Sequence, residues 1–214
     1  MSKTKIGVLV SGGGTNLQAL IDAQEQDMIQ GVIVVVISNK SEAFALERAK
    51  KHNIKTVYMD SKRYLDKVEY TKALTDELKK HEVELVCLAG FMCILEPYFV
   101  QKYQNRAINI HPALLPSFGG KGLYGHHVHE AVIDSGAKFS GCSVHFVDEG
   151  CDTGPIILQK VVPVTDDDNP DTLAARVLEE EHKAYPEAVG LFCEGRLEIK
   201  GRRVLIKNNK NNEE

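Results

Sequence analysis

An amide and an imidazole two residues apart are the pair in this sequence best suited to chemistry. Asn109 and His111 stand in the run AINIHP that begins at Ala107. The run is typical of a short buried strand, so both side chains are expected on the same face. An amide there can donate a hydrogen bond to developing negative charge, and an imidazole can transfer a proton. For the isolated pair a structural role stays open, with Asn109 in a turn and His111 a hydrogen-bonded core histidine.

A carboxylate further along the chain completes this candidate group. Asp152 lies in the run EGCDTGP between two strand-like segments. A carboxylate next to an imidazole orients the ring and raises its proton affinity. We therefore predict that Asn109, His111 and Asp152 meet in the folded chain and act together as catalytic residues.

A glycine loop near the start of the chain is a second candidate site. The run SGGGTN, residues 11–16, follows a strand-like segment and precedes helical spacing at Leu17, Leu20 and Ile21. Strand, glycine loop and helix together leave backbone N–H groups free at the helix N-terminus, where an anion binds. Leu17 stands where a dinucleotide fingerprint requires its third glycine, and no Gly-Lys-Ser/Thr follows for a P-loop. A single phosphate is thus favoured, with a tight turn that binds no ligand as the alternative.

The elements around these residues predict an α/β fold. Short apolar runs alternate with helical patterns, which favours a Rossmann-like, mostly parallel twisted sheet with helices on both faces. The predicted parallel strands are residues 5–10, 32–37, 56–59, 85–89 and 107–111. Ligands bind beyond the carboxyl ends of such strands. The glycine loop, residues 90–95 and residues 109–112 all lie at such ends.

The C-terminal part is predicted to be antiparallel. Residues 142–147 and 156–162 should pair around the Asp152 loop, the first as a half-buried strand with Ser143 and His145 on one face. Residues 196–199 and 204–206 suggest a closing hairpin. We expect one domain over residues 1–206 and a polar, disordered tail over residues 207–214.

Between these strands we expect one long helix. Residues 171–192 have helical spacing, with Pro170 in the first turn and Pro186 expected to kink or divide the helix. The acidic run 179–181 is by default a solvated face.

Composition excludes several classes of protein. The 26 basic and 30 acidic side chains give a net charge of −4, which disfavours nucleic-acid partners and anionic membrane surfaces. The apolar runs are too short to span a bilayer, and the first residues show no signal-peptide pattern, so we expect a cytoplasmic protein. Five cysteines without a CxxC pair argue against a zinc ribbon or a disulfide scaffold. The histidines at 126, 127 and 129 have no matching metal motif nearby, and residues 117–129 are expected to form a mobile or assembly loop.

Five motifs occur in order along the chain, and together they resemble one family. They are SGGGTNLQ from Ser11, LAGFM from Leu88, NIHPALLP from Asn109, SVHFV from Ser143 and DTGPIILQ from Asp152. Across residues 5–196 the sequence resembles the phosphoribosylglycinamide formyltransferases, folate-dependent enzymes of purine synthesis. The Asn-x-His-Pro run with its later aspartate resembles the wider formyltransferase family, and the glycine loop and single-domain length point to this branch.

The resemblance implies a reaction and the residues for it. A formyl group would pass from 10-formyltetrahydrofolate, as co-substrate, to the amine of glycinamide ribonucleotide, with no metal and no partners other than these small molecules. Asn109, His111 and Asp152 would be catalytic. The acceptor phosphate would lie on Gly14, Thr15 and Asn16, with the ribose hydroxyls on Glu181. The folate side would comprise Phe91, Met92, Cys93, Ile94, Leu95, His145 and Asp148. Cys93 stands where many relatives carry arginine, and the chain would be a monomer or homodimer.

Four other functions are weighed against this one. A 10-formyltetrahydrofolate hydrolase shares the three catalytic residues but usually carries an extra N-terminal regulatory domain. A methionyl-tRNA formyltransferase needs a C-terminal RNA-binding domain and more basic charge. A non-catalytic phosphoribosyl sensor would need only the glycine loop, so the presence of all three catalytic residues disfavours it. Leu17 disfavours an NAD oxidoreductase.

Overall fold

A nine-stranded sheet forms the centre of the molecule, which a computed structural model describes for residues 2–208. The strands are β1 (Thr4–Val10), β2 (Gly31–Ser38), β3 (Thr56–Tyr58), β4 (Leu85–Leu88), β5 (Ala107–His111), β6 (Phe139–Phe146), β7 (Ile156–Pro163), β8 (Leu197–Lys200) and β9 (Arg203–Ile206). Their order across the sheet is β3-β2-β1-β4-β5-β6-β7-β9-β8.

The sheet changes direction at β5. Strands β3, β2, β1, β4 and β5 pair in parallel, which places their carboxyl ends along one edge. Strands β5, β6 and β7 pair antiparallel, and β8 and β9 form an antiparallel hairpin. The predicted α/β class, with a parallel first part and an antiparallel C-terminal part, is confirmed.

Helices cover both faces of the sheet, as predicted. They are α1 (Thr15–Glu25), α2 (Phe44–Lys51), α3 (Lys67–Lys80), α4 (Pro97–Lys102), α5 (His126–Asp134) and α6 (Pro170–Cys193). Buried side chains of α1, α2, α5 and α6 form one apolar cluster, and those of α3 and α4 form another. The two clusters lie on opposite faces because successive side chains of a buried strand point to opposite sides. Both faces of the central strands are therefore withdrawn from water.

Helix α6 runs without interruption through its internal proline. Asn169 caps it, since its side chain accepts hydrogen bonds from the N–H groups of Asp171 and Thr172. Pro186 removes one helical hydrogen bond, yet the helix continues to Cys193. Tyr185 and Ala188 on either side of the proline are fully buried against the sheet, and packing of this kind supplies most helical stability. Of the expected kink or division at Pro186, the division therefore does not occur.

Two expectations about burial are also wrong. Strand β6 is buried along its whole length after Phe139 rather than half-buried. Helix α6 packs on one face of β6. On the other face, Ser143 Oγ donates to the Ala113 carbonyl and accepts from the Leu115 N–H. Glu181 does not share the solvated face of the acidic run, because α6 turns it inward, leaving 7% of the residue exposed.

The closing hairpin lies at the end of the described chain. The Lys207 N–H donates to the Arg196 carbonyl and closes it. Residues 209–214, most of the predicted tail, lie outside the described residues. Between residues 2 and 208, no helix is long and apolar enough to cross a membrane.

Candidate active site

Three side chains predicted to be catalytic lie together in the structure. Nδ1 of His111 is 3.6 Å from Oδ2 of Asp152. Nδ2 of Asn109 donates toward Oδ1 of the same carboxylate at 3.4 Å. The carboxylate thus faces the imidazole with one oxygen and the amide with the other.

The pairing of β5 with β6 explains this arrangement and adds His145 to it. Asn109 lies opposite His145 across the antiparallel pair, and His111 lies opposite Ser143, so the four side chains share one face. Nδ1 of His145 contacts the Phe146 carbonyl at 2.8 Å, as a donor. Nε2 of His145 is then the acceptor for the Asn109 amide at 3.2 Å. The His145 ring, 2% exposed, therefore packs behind the amide and helps to orient it.

His111 is buried between two acceptors. Its Nε2 donates to the Phe118 carbonyl at 2.8 Å, while Nδ1 faces the Asp152 carboxylate. Only the doubly protonated ring gives both acceptors a proton. Burial lowers the pKa of His111 below its ordinary value, although Asp152 and the Phe118 carbonyl act in the opposite direction. The resting imidazole is consequently neutral at pH 7 and is surrounded by groups that stabilise its charged form.

Asp152 is held as an ionised carboxylate. Burial raises its pKa, but His145, His111 and the Gly120 N–H outweigh burial and hold the pKa below its ordinary value. The Gly120 N–H donates to Oδ2 at 3.1 Å. Asp152 itself has φ of 57°, a left-handed conformation that costs energy for a residue other than glycine. Such strain at a buried, charge-bearing residue is typical of a functional position.

The segment from Phe118 to Gly120 closes over both groups. It supplies the carbonyl on the imidazole and the N–H on the carboxylate. A Cβ at Gly119 would lie 3.4 Å from the Asp152 Cβ, an ordinary contact, and 2.4 Å from Cδ2 of Leu115, which would have to move. The first residues of the predicted mobile or assembly loop are therefore part of the site.

The glycine loop has the geometry of an anion site. Gly14 precedes α1 with φ of 71°, and no side chain caps the helix. The first N–H groups of a helix have no intrahelical partner. Gly14, Thr15 and Asn16 thus present free backbone donors and the positive end of the α1 dipole at one point.

Asn16 and Glu181 form a buried polar pair next to this loop. The Asn16 amide donates to Oε2 of Glu181 at 2.7 Å. Burial raises the pKa of Glu181 to about 7, although the Asn16 hydrogen bond acts to lower it. The buried Oδ1 of Asn16 has no hydrogen-bond partner within residues 2–208. Two ligand hydroxyls would satisfy the pair, because each donates one hydrogen bond and the pair offers two oxygens as acceptors.

Helix α6 links the glycine loop to the catalytic strand. Tyr185 lies one helical turn after Glu181, and its hydroxyl contacts the carbonyls of Leu88 at 2.8 Å and Ile108 at 3.1 Å. Leu88 ends β4 and pairs with Asn109, and Ile108 directly precedes Asn109 in β5. The candidate anion site and the side chains predicted to be catalytic therefore belong to one edge of the sheet.

With this geometry described, comparison with known proteins is informative. The profile described as "Formyl transferase" matches residues 4–189, most of the chain.

The chain belongs to the formyl transferase family.

Two relatives show how close the likeness is. A chloroplastic phosphoribosylglycinamide formyltransferase of Arabidopsis thaliana is 42% identical over 211 residues, 98% of this chain and 72% of that protein. A crystal structure of glycinamide ribonucleotide transformylase 1 from Symbiobacterium toebii has a TM-score of 0.93 at 44% identity, covering 97% of this chain and 95% of that chain. The comparison with the Symbiobacterium toebii structure confirms the fold of this chain.

A third relative is much longer. A trifunctional purine biosynthetic protein of Chironomus tentans is 46% identical over 195 residues, which are 90% of this chain and 14% of that protein. This chain spans about one seventh of that relative, so the likeness concerns one part of a larger protein.

In this formyl transferase, the segment after β4 borders the glycine loop. Ser11 Oγ donates to Asn39 Oδ1 at 2.6 Å and accepts from the Met92 N–H at 2.8 Å. The Asn39 amide in turn donates to Sγ of Cys93 at 3.0 Å. This chain of contacts fixes the segment against the loop. It also gives Cys93 a hydrogen-bond partner.

The predicted folate residues lie in four places in the structure. Met92 and Ile94 are 51% and 60% exposed and form an apolar surface. Phe91, Cys93 and Leu95 are partly buried beneath them. His145 lies with the catalytic side chains instead, and Asp148 shapes its own loop by accepting from Gly150 N–H and Thr153 Oγ1.

Two of the three histidines in residues 126–129 contact carboxylates. The two ring nitrogens of His126 contact Glu130 and Asp171, and His127 contacts Glu130. His129 is buried on α5. Among the residues that the structure describes, no cluster of His, Cys, Asp and Glu has a metal-binding arrangement.

Sequence reasoning missed several residues that shape the site. Tyr185, the Phe118 carbonyl and Arg48, which binds the Gly13 carbonyl, were not among the predicted residues. Arg48 stands four residues after Phe44, a spacing that brings two side chains together on a helix surface. That spacing is the one sequence feature that points to any of the three, because the other contacts arise between distant segments.

A cavity of about 930 Å³ also lies along the groove between α1 and α6. Thr15 and Arg48 line one part of it, and none of the three catalytic side chains lines it. The cavity therefore borders the anion site and not the catalytic group.

Proposed function

We propose that this chain transfers the formyl group of 10-formyltetrahydrofolate to the amine of glycinamide ribonucleotide, giving formylglycinamide ribonucleotide and tetrahydrofolate in de novo purine biosynthesis. The observation that carries the proposal is the convergence of Asn109, His111 and Asp152 at one sheet edge with the Gly14–Asn16 anion site. Family membership and the named relatives support the same reaction.

Asn109 stabilises the charge that develops in this reaction. The acceptor amine attacks the formyl carbon, and the formyl oxygen gains negative charge as the new C–N bond forms. The Asn109 amide donates one N–H to His145 Nε2 at 3.2 Å, which orients it, and the other toward Asp152 at 3.4 Å, so the longer contact with Asp152 must yield before that N–H donates to the oxyanion. A preorganised donor of this kind contributes roughly 3 kcal/mol to transition-state stabilisation.

His111 and Asp152 carry out the proton transfer of this reaction. The attacking amine must lose a proton, and N10 of the folate must gain one as the C–N10 bond breaks. A neutral imidazole accepts a proton, directly or through water, and the Asp152 carboxylate stabilises the imidazolium that results. Because the neutral ring carries its proton on Nε2, which donates to the Phe118 carbonyl, the nitrogen that accepts a proton is Nδ1, and Nε2 donates to substrate only after the Phe118 contact yields.

The acceptor ribonucleotide fits the glycine loop and the pair beside it. Its 5′-phosphate lies on the N–H groups of Gly14, Thr15 and Asn16, and Glu181 accepts hydrogen bonds from the ribose hydroxyls. The raised pKa of Glu181, about 7, means that the carboxyl exchanges its proton near physiological pH.

The folate fits the other side of the catalytic group. Exposed apolar side chains at Met92 and Ile94 suit an aromatic ring system, since apolar surface at a rim favours such ligands. Phe91, Cys93 and Leu95 support this surface from beneath, and the loop shaped by Asp148 borders it. His145 acts on folate indirectly, through Asn109.

The proposed setting is simple. The enzyme acts in the cytoplasm on two small molecules, as a monomer or a homodimer, with no nucleic acid or membrane as partner. The net charge of −4 and the apolar runs of residues 2–208 support this setting. Size-exclusion chromatography with light scattering distinguishes the two oligomeric states.

One assay tests the proposal. The purified protein is mixed with 10-formyltetrahydrofolate, with and without glycinamide ribonucleotide, and release of tetrahydrofolate is followed. We expect turnover that depends on the acceptor. Equal turnover without acceptor would identify a hydrolase, and absence of turnover in both mixtures would favour a ligand sensor.

A further inference from the structure

Arg48 of α2 lies directly against the glycine loop. Its Nε donates to the Gly13 carbonyl at 2.8 Å, and Nη1 donates to Oε1 of Gln18 on α1 at 3.2 Å. Within residues 2–208, the structure gives Nη2 no hydrogen-bond acceptor. One guanidinium thus joins α2 to the loop and to the first turns of α1, and it has donors left over.

The same helix holds the other two glycines. The Ala45 N–H donates to the Gly12 carbonyl at 3.1 Å. Gly14 packs so closely on Ala45 that a Cβ would lie 2.5 Å from the Ala45 Cβ. In a trans peptide unit the carbonyl and the following N–H point in opposite directions. Because α2 binds the carbonyls of Gly12 and Gly13, the N–H groups of Gly13 and Gly14 point away from it, toward the anion site.

Phe44 fixes the guanidinium from the other side. The Cζ of Arg48 lies 5.0 Å from the centre of the Phe44 ring, one helical turn earlier. The ring is half exposed, although the apolar spacing of α2 predicts it on the buried face. Stacking under Arg48 explains this exposed aromatic side chain. The ring also lies 5.9 Å from Nζ of Lys51.

We propose that Arg48 is a positioning residue for the 5′-phosphate of the acceptor, an inference that rests on the proposed function. It fixes the peptide between Gly13 and Gly14 so that the Gly14 N–H points at the phosphate. It also places a permanent positive charge beside that anion, since guanidinium stays protonated at all physiological pH values. Its effect is therefore confined to ligands that carry the phosphate.

The test compares two acceptors in four proteins. Wild type, Arg48→Ala, Arg48→Lys and Lys51→Ala are assayed with glycinamide ribonucleotide and with the riboside that lacks its phosphate. Arg48→Ala should raise KM for the ribonucleotide roughly 10- to 100-fold, the range for loss of a charge-assisted contact. The values of kcat, KM for folate and kcat/KM for the riboside should stay within about 2-fold. Arg48→Lys should recover part of the loss, because it restores the charge without the Nε geometry.

Lys51→Ala is the matched control. It removes an equal charge from α2 and a contact with the same ring, without a contact to the glycine loop. An equal rise in KM with Lys51→Ala would overturn the proposal in favour of general electrostatic attraction. An equal loss of both acceptors in Arg48→Ala would overturn it in favour of a purely structural role. If the alanine variant fails to fold, the same comparison in Arg48→Lys decides.

Calorimetric binding separates this inference from the proposed function. If wild type binds the ribonucleotide but transfers no formyl group, the proposed reaction is wrong, and the Kd values of the variants still decide the role of Arg48. If wild type does not bind the ribonucleotide, both proposals are wrong.

Discussion

The glycine loop and the catalytic group are built in opposite ways. The loop uses backbone N–H groups of consecutive residues, Gly14 to Asn16, at the start of one helix. The catalytic group uses the side chains of Asn109, His111, His145 and Asp152, which come from two strands and a loop. The loop's donors keep their charge state at every pH, whereas the catalytic group depends on buried titratable side chains with shifted pKa values.

This difference assigns separate tasks to the two regions. Backbone donors hold an anion equally well before and during reaction, so they set binding. An imidazole and an amide facing a developing oxyanion act most strongly in the transition state, so they set the rate of transfer. Substitutions in the catalytic group should therefore lower kcat, and substitutions in the glycine loop should raise KM for the acceptor.

Replacement of His111 should give the largest effect. We expect His111→Ala to lower kcat roughly 10²- to 10⁴-fold, the range of general acid–base catalysis. Calorimetric Kd for the ribonucleotide should stay near the wild-type value. His127→Ala, which removes a histidine of α5 that contacts Glu130 and the Tyr124 ring, is the control and should be fully active. Parallel loss of binding and turnover in His111→Ala would mean that the histidine only supports the fold.

Replacement of Asn109 should come next. We expect Asn109→Ala to lower kcat roughly 10²- to 10³-fold, as for other single oxyanion donors. Pre-steady-state kinetics should place the loss in the transfer step. A variant with normal kcat and a higher KM for the acceptor would place Asn109 among the binding residues and erase the difference between the two regions.

Gly14→Ala should affect binding and stability instead of kcat. An alanine there needs φ of 71° and meets Ala45 at 2.5 Å. We expect KM for the ribonucleotide to rise roughly 10-fold and the free energy of unfolding to fall by about 1–3 kcal/mol. Gly12→Ala is the matched control, because its Cβ meets nothing within 4 Å. If the two variants behave alike, the conformation of Gly14 is not what shapes the loop.

Glu181→Gln should have the smallest effect on turnover, and its main effect should be on the stability of the folded protein. We expect a rise of only a few-fold in KM, since the glutamine oxygen still accepts a hydroxyl. Burial raises the pKa of Glu181 from 4.5 to about 7. The folded state thus binds more protons between these values, and wild type loses stability as pH rises through them.

The same proton binding determines whether the variant is more or less stable than wild type at a given pH. At pH 8, Glu181→Gln should be more stable than wild type by up to about 3 kcal/mol in free energy of unfolding, and its melting temperature should be higher. The gap should close toward pH 5, where the wild-type carboxyl is protonated in the folded state. Differential scanning calorimetry at several pH values measures this difference in stability. A difference of equal size at pH 5 and pH 8 would contradict the raised pKa of Glu181.

The sequence by itself determined the features that depend on neighbouring residues. The alternation of apolar strands and helices follows from local periodicity, which explains why the α/β class, with its parallel and antiparallel parts, could be predicted. The glycine loop is also local, since its strand, glycines and helix are contiguous. The run of motifs from Ser11 to Asp152 was enough to indicate the family.

Tertiary structure decided which side chains meet and which are buried. Helical periodicity cannot show that α6 turns Glu181 inward while Glu179 stays exposed, because that depends on the surface α6 covers. The Phe118 carbonyl that accepts from His111 and the Gly13 carbonyl that accepts from Arg48 are backbone groups, so the residue types in the sequence do not predict these contacts. The pKa shifts follow from burial and from charges distant in sequence, so they exist only once the sheet has brought β5, β6 and the Asp152 loop together.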